Sequence, residues 1–233
     1  MKKEVKYLCV SKFALLNIII LLLNSGFIWA QTSENKLIET SETELWQGIS
    51  VKKKITKKWS VGLEENIRLS DSGRRFETGL LETMLQYKLL KNIKLKAAYR
   101  YSFKPVTTAN RQRLSVSASG KWKVNKRWKW SHRVKYQYAF VRNRQESSKV
   151  LRYKTELTYN IRKSKWNPFF SAECFYRFSY KENLFDAYRL AIGADYKWHK
   201  RQTFNIAYMQ EKELNENLPK RYHIFYLAYS FDI

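Results

Sequence analysis

From residue 45 onward, apolar and polar side chains alternate almost without interruption. The clearest run is 93–104, where Ile93, Leu95, Ala97, Tyr99, Tyr101 and Phe103 alternate with Lys94, Lys96, Ala98, Arg100, Ser102 and Lys104. A period of two over that length is an extended strand with one apolar face and one wet, cationic face. Ordinary strands have about 5–6 residues, whereas a tilted strand crossing a bilayer needs about 9–11. The run has the length of the second kind.

The same device recurs along the chain. Alternation predicts strands over 45–54, 59–69, 76–89, 93–104, 110–124, 128–142, 150–161, 168–180, 186–198, 202–210 and 222–233. In the fifth, Leu114, Val116, Ala118, Trp122 and Val124 oppose Arg111, Arg113, Ser115, Ser117, Lys121 and Lys123. Glu65 is the one charge on the apolar face of the second. Connections near 56, 91, 125, 163 and 199 are short, and those near 73, 106, 145, 183 and 215 are longer and more mixed in charge. Short turns at one end and longer loops at the other are the habit of membrane barrels, the short turns lying on the periplasmic side. The expected fold is all-β: an antiparallel up-and-down transmembrane β-barrel. Bacterial single-chain barrels have even strand numbers. The expected count is therefore about twelve, with 32–43 supplying a poor first strand, and ten is the other even solution.

The N-terminus has a different grammar. Lys2, Lys3, Lys6 and Lys12 precede the apolar run 13–23, and a looser segment ends at Ala30. That layout predicts a signal peptide over 1–30 with cleavage after Ala30. An uncleaved anchor is the alternative, although the apolar core falls short of the ~20 residues of a spanning helix. Residues 31–43 form a polar lead-in or weak first strand, and 44–233 the barrel domain. After cleavage Cys174 is the sole cysteine, so no intramolecular disulfide can brace the exported fold, as one often does in small exported domains. Only 7 Gly and 3 Pro beside 16% aromatic residues favour long strands over a loop-rich sandwich.

Alternation alone does not say which face points outward, since soluble barrels and sandwiches alternate too. The polar face is dense in charge of both signs, and Trp59, Trp122, Trp128, Trp130 and Trp198 sit on the apolar face near strand ends, where an interfacial girdle belongs. With the apolar face toward lipid, the polar face becomes a lumen. Its candidate lining is Arg100, Arg111, Arg113, Arg133, Lys135, Arg152, Lys154, Arg177 and Arg189 against Glu64, Glu82, Glu156, Glu173 and Asp195. Rings of Arg and Lys select anions, so the lining implies a small anion-preferring pore for an anionic solute. In a barrel this narrow the same residues can form a salt-bridged plug, which leaves a scaffold. A soluble periplasmic lipid-binding barrel is the alternative architecture.

Formal net charge is +25, and much of it is concentrated at the short turns. The segments 51–59, 88–94, 121–130, 161–167 and 197–202 contain no Asp or Glu. Their candidate basic rim is Lys52, Lys53, Lys54, Lys57, Lys58, Lys126, Arg127, Lys163, Lys165, Lys200 and Arg201. Near a membrane surface each such cation is worth about 1 kcal/mol toward anionic lipid. The rim can instead dock an acidic periplasmic partner, or simply keep exposed turns soluble. Strong basicity first suggests nucleic acid, which export excludes. His132, His199 and His223 have no Ser and carboxylate at a spacing that forces a triad, and no metal spacing or phosphate-cradling loop is present. The sequence therefore implies no cofactor and a non-enzymatic protein, with a lipid-modifying enzyme as the alternative.

The hairpin phrases at 46–69 (W-Q-G-I-S-V-K-K-K-I-T-K-K-W-S-V-G-L-E-E-N-I-R-L) and 159–178 (Y-N-I-R-K-S-K-W-N-P-F-F-S-A-E-C-F-Y-R-F) resemble a family of exported Bacteroidota-type proteins known as domain of unknown function 2490. The similarity covers essentially all of the chain after residue 30. It implies an outer-membrane barrel and carries no activity or site residues. The last strand also resembles the C-terminal signal of outer-membrane barrels, with Ile233 in place of the usual terminal Phe.

Overall fold

The computed structural model describes residues 40–104, 107–141, 147–178, 184–216 and 218–233, all within the compact unit Ile38–Ile233. The expected signal peptide lies outside the described residues, as does the lead-in up to residue 39. Residues 40–43 belong to the first strand.

The strands are β1 (Thr40–Lys54), β2 (Trp59–Ser70), β3 (Arg75–Lys88), β4 (Ile93–Lys104), β5 (Thr107–Lys123), β6 (Trp128–Val141), β7 (Ser147–Tyr159), β8 (Trp166–Phe178), β9 (Leu184–His199), β10 (Gln202–Glu213) and β11 (Lys220–Asp232). Each pairs antiparallel with the next, and β1 pairs with β11 to close the barrel. The eleven described strands come close to the expected twelve. The closure itself was not foreseen: an odd meander brings its first and last strands together parallel, with Thr40 opposite Lys220 and Lys52 opposite Asp232. Ile233 N donates to Lys52 O at 2.7 Å and Lys54 N to Ile233 O at 3.3 Å. On the inner face Ser50 Oγ donates to Ser230 Oγ at 3.0 Å. Gly48 stands opposite Ala228 across this seam, where a Cβ would meet Ala228 Cβ at 3.5 Å and Asn66 Oδ1 of β2 at 2.7 Å.

Burial is inverted relative to a soluble domain. Ile192 (63% exposed), Val116 (58%) and Phe225 (52%) face outward, while Glu82 (2%), Glu173 (6%) and Lys135 (8%) are buried. A closed barrel with an apolar exterior and a polar interior fits a hydrocarbon solvent: its backbone groups are satisfied between strands, and no edge is left to lipid. The fold is a transmembrane β-barrel.

The turns at one end repeat a small device. Thr56 Oγ1 accepts from the backbone of Lys58 and Trp59 at 3.2 and 3.0 Å, and Asn125 Oδ1 accepts from Arg127 and Trp128, both at 2.8 Å. Ser164 Oγ accepts from Trp166 N at 3.1 Å. Short polar side chains of this kind hold a turn by capping its own backbone. The tryptophan that follows each turn packs on a cross-strand tyrosine: Trp59 on Tyr87, Trp128 on Tyr159 and Trp166 on Tyr196, each with ring centroids 4.7 Å apart. Trp166, absent from the sequence-based girdle, is therefore one of its regular members. The connections at the other end lie largely outside the described residues. Several strands run longer than their alternation predicts, up to the 17 residues of β5.

Candidate functional site

The lumen is where charge converges. Side chains at the inward positions of β3–β9 form two carboxylate-centred nodes. On one wall, Glu82 accepts from Lys96 Nζ at 2.9 Å and from Arg100 Nη2 at 2.7 Å. Opposite it, Glu173 accepts from Arg133 Nη2 at 3.1 Å and from Arg152 Nε and Nη2 at 3.0 and 2.8 Å, with Arg189 Nη1 3.7 Å away. Register explains the second node. Arg133 stands opposite Lys154, Lys154 opposite Glu173, and Glu173 opposite Arg189, so one row crosses four strands at a single height.

The remaining predicted lining residues surround these nodes. Arg113 is the cross-strand neighbour of Arg100, and Lys135 lies between Ser117 and Arg152. Lys154 reaches Glu156 at 2.9 Å. Glu64 accepts from Asn66 Nδ2, and Asp195 from Asn205 Nδ2, both at 2.7 Å. Arg111 Nη2 donates to Ser148 Oγ at 2.6 Å. Arg177 is drawn away from the centre, pairing with Asp186 and with Glu216 at 3.1 Å. Three donors, Arg68 Nε, Arg133 Nε and Gln137 Nε2, are buried without a hydrogen-bond partner among the described residues.

Aromatic rings enter the same space. Arg68 Cζ lies 3.7 Å from the centroid of the Trp46 ring, and Arg189 Cζ lies 5.1 Å from it. Arg189 is also 5.2 Å from the Phe175 ring, which Arg152 approaches at 4.4 Å. Cations and rings therefore alternate in a chain running from β2 through β1, β9 and β8 to β7, each contact of a kind worth about 0.5–2 kcal/mol. Trp46 is anchored by donating Nε1 to Glu44 Oε2 at 2.5 Å. Beside it Phe169, Met209, Ala191, Ala207 and Ile224 form an apolar strip on the inner wall. The sequence reading missed Trp46, Arg68, Phe169, Phe175, Met209 and Glu211, whose Oε2 accepts from Arg189 Nε at 2.7 Å. Their signal was parity: each lies at a wet-face position of its strand.

Between the Glu173 node and this strip lies a cavity of about 170 Å³, lined by residues that include Arg133, Arg152, Lys154, Arg189, Phe169 and Met209.

On the rim, Lys53, Lys54, Lys57, Lys58, Lys126, Arg127, Lys163, Lys165, Lys200 and Arg201 are exposed. Lys52 turns inward and donates to Gln86 Oε1 at 2.9 Å. The histidines stay apart from the lumen nodes. His132 Nδ1 is 2.7 Å from Tyr153 Oη, and His223 Nδ1 is 2.5 Å from Tyr208 Oη. Among the described residues no three His, Cys, Asp or Glu side chains are grouped to hold a metal ion.

A family model described as a protein of unknown function (DUF2490) matches residues 43–221. The chain belongs to this family. No curated protein matches the sequence. Among solved structures, this DUF2490 chain is similar to a bacterial polysaccharide outer membrane secretin at 12% identity and a TM-score of 0.53, covering 75% of this chain and 63% of the other. It thus spans less than two thirds of that protein. It is also similar to the NanC porin (16% identity, TM-score 0.48, 72% and 86% covered) and to the KdgM porin (12%, 0.44, 70% and 81%). At 12% identity the likeness to the secretin is one of fold alone.

Proposed function

We propose that this DUF2490 protein is a narrow, anion-preferring pore of the outer membrane, reached through a cleaved signal peptide and without enzymatic activity. The observation that carries the reading is the donor excess of the lumen. Among the described residues Arg68, Arg133 and Gln137 each keep a buried donor with no acceptor, while Glu82 and Glu173 are each already shared among two or more cations. A permeating anion supplies the acceptor that the wall lacks, and cations meet an unfavourable potential. The basic turn rim would extend that potential to the mouth and rest against anionic head groups.

Reversal potentials across planar bilayers under a salt gradient test this. Chloride should be preferred, and Arg111→Glu and Arg113→Glu should weaken or reverse the preference. Silence at every voltage would sink the pore. A second reading, a closed scaffold that contacts lipid or an acidic periplasmic partner, is favoured by the Arg68–Trp46–Arg189–Phe175–Arg152 chain, which lies across the lumen. The unmodified barrel separates the two: a constricted pore conducts and Trp46→Ala raises its current, whereas a plugged barrel is silent until Trp46→Ala breaks the chain.

A further inference from the structure

We propose that the lumen cavity beside Glu173 is a binding subsite for a small organic carboxylate that carries an apolar face. The proposal deepens the pore reading by naming a solute class, and it rests on the lumen being open to solutes.

Size sets the first limit. The cavity measures about 170 Å³, and a cavity of about 150 Å³ holds a benzene molecule. A chain-like polymer is too large for it, and a single chloride would leave most of it unfilled. Chemistry sets the second. The lining supplies Arg133, Arg152, Lys154 and Arg189 against Glu156 and Glu173, and Glu211 behind Arg189 accepts from its Nε at 2.7 Å, so cations still outnumber carboxylates by one. An anion is therefore favoured over a neutral or cationic guest.

The wall is also two-sided. Phe169, Ala191, Ala207 and Met209 line the cavity and belong to the apolar strip, and they give an inorganic anion no hydrogen bond. A pure hydrocarbon would in turn leave the arginine side unanswered. A guest with a carboxylate at one end and an apolar body at the other satisfies both walls. Glu173 already displays the binding mode, since its carboxylate takes two donors from Arg152 and one from Arg133. Guanidinium forks favour this planar, bidentate recognition. Arg133 Nε is a further buried donor without an acceptor among the described residues.

Benzoate is a suitable probe, with benzamide as its uncharged isostere. Titration calorimetry on the full chain refolded in detergent should show saturable benzoate binding and none of benzamide. Arg133→Gln should weaken benzoate about tenfold, the size expected for one charge-assisted hydrogen bond. Glu173→Gln should tighten it, because a tethered competitor loses its charge. Both variants must first show the heat-modifiable gel shift of a folded barrel. In bilayers, benzoate but not benzamide should block the chloride current. Binding without conductance would keep the subsite and overturn the pore. Conductance with equal response to benzoate and benzamide would keep the pore and overturn the subsite. Neither binding nor conductance would overturn both.

Discussion

Arg152 grips Glu173 through two donors at once, Nε to Oε1 at 3.0 Å and Nη2 to Oε2 at 2.8 Å, and the pair is almost closed off from solvent. Arg133 and Arg189 share the same carboxylate. Glu173→Ala should leave three guanidinium groups facing one another, and removing one partner of a buried pair costs about 3–5 kcal/mol. The urea midpoint of the barrel in lipid vesicles would report it. Arg133→Ala should cost much less, because that side chain is 40% exposed. Equal midpoints for the two variants would mean that water in the lumen already screens the node.

Outward positions should obey a depth rule. Val116 lies in the middle of β5, paired with Ala97 and Tyr136, whereas Val124 stands where β5 meets its turn. Both are exposed. Val116→Arg should destabilise by about 2–4 kcal/mol and Val124→Arg by about 0–1, following the cost of a cation against depth in lipid. Comparable losses in vesicles would contradict the placement of β5 across the bilayer.

The three tryptophan–tyrosine contacts should act as separate clamps. Trp59 and Trp128 begin strands four positions apart, roughly 19 Å at about 4.8 Å per strand. Each alanine variant should lose the ring–ring term of about 0.5–1.5 kcal/mol on top of area loss, and the double variant should lose the sum. Thermal unfolding of the single and double variants would show whether the losses add.

Gly193 marks a close approach of strands. A Cβ there would stand 2.5 Å from Ile206 O and 2.7 Å from Ala207 Cβ. Because the first of these is backbone, Gly193→Ala should strain the β9–β10 pairing by about 1–3 kcal/mol, as overpacking does. Unfolding in urea should show the loss. An unperturbed midpoint would mean that the two strands separate more easily than their register suggests.

The exterior of this barrel was legible in the sequence because lipid imposes one rule on every outward position, and Leu95, Tyr99, Val116 and Ile192 all obey it. Glu65, flagged as the exception, is outward and exposed between Ile49 and Leu81. The interior was only half legible. A lumen accepts charge, amide, small or aromatic side chains alike, so parity placed Glu82, Arg100, Arg152 and Glu173 on one surface but not which of them meet. Trp46, Phe169, Phe175 and Met209 were missed because an apolar side chain at a wet-face position looks like noise until the opposite wall is known. The closure was hidden for another reason: alternation is indifferent to strand direction, so nothing in β1 or β11 announces a parallel partner.

That parallel seam gives the molecule a sidedness. In an even-stranded meander the first and last residues of the barrel leave from the same rim. Here Thr40 is at the loop end and Ile233 at the turn end, so the polypeptide threads the barrel from one rim to the other. Reporters inserted next to these two residues would sample opposite compartments, and the hydrogen bonds of Ile233 with Lys52 and Lys54 join strands that enter the wall from the same rim.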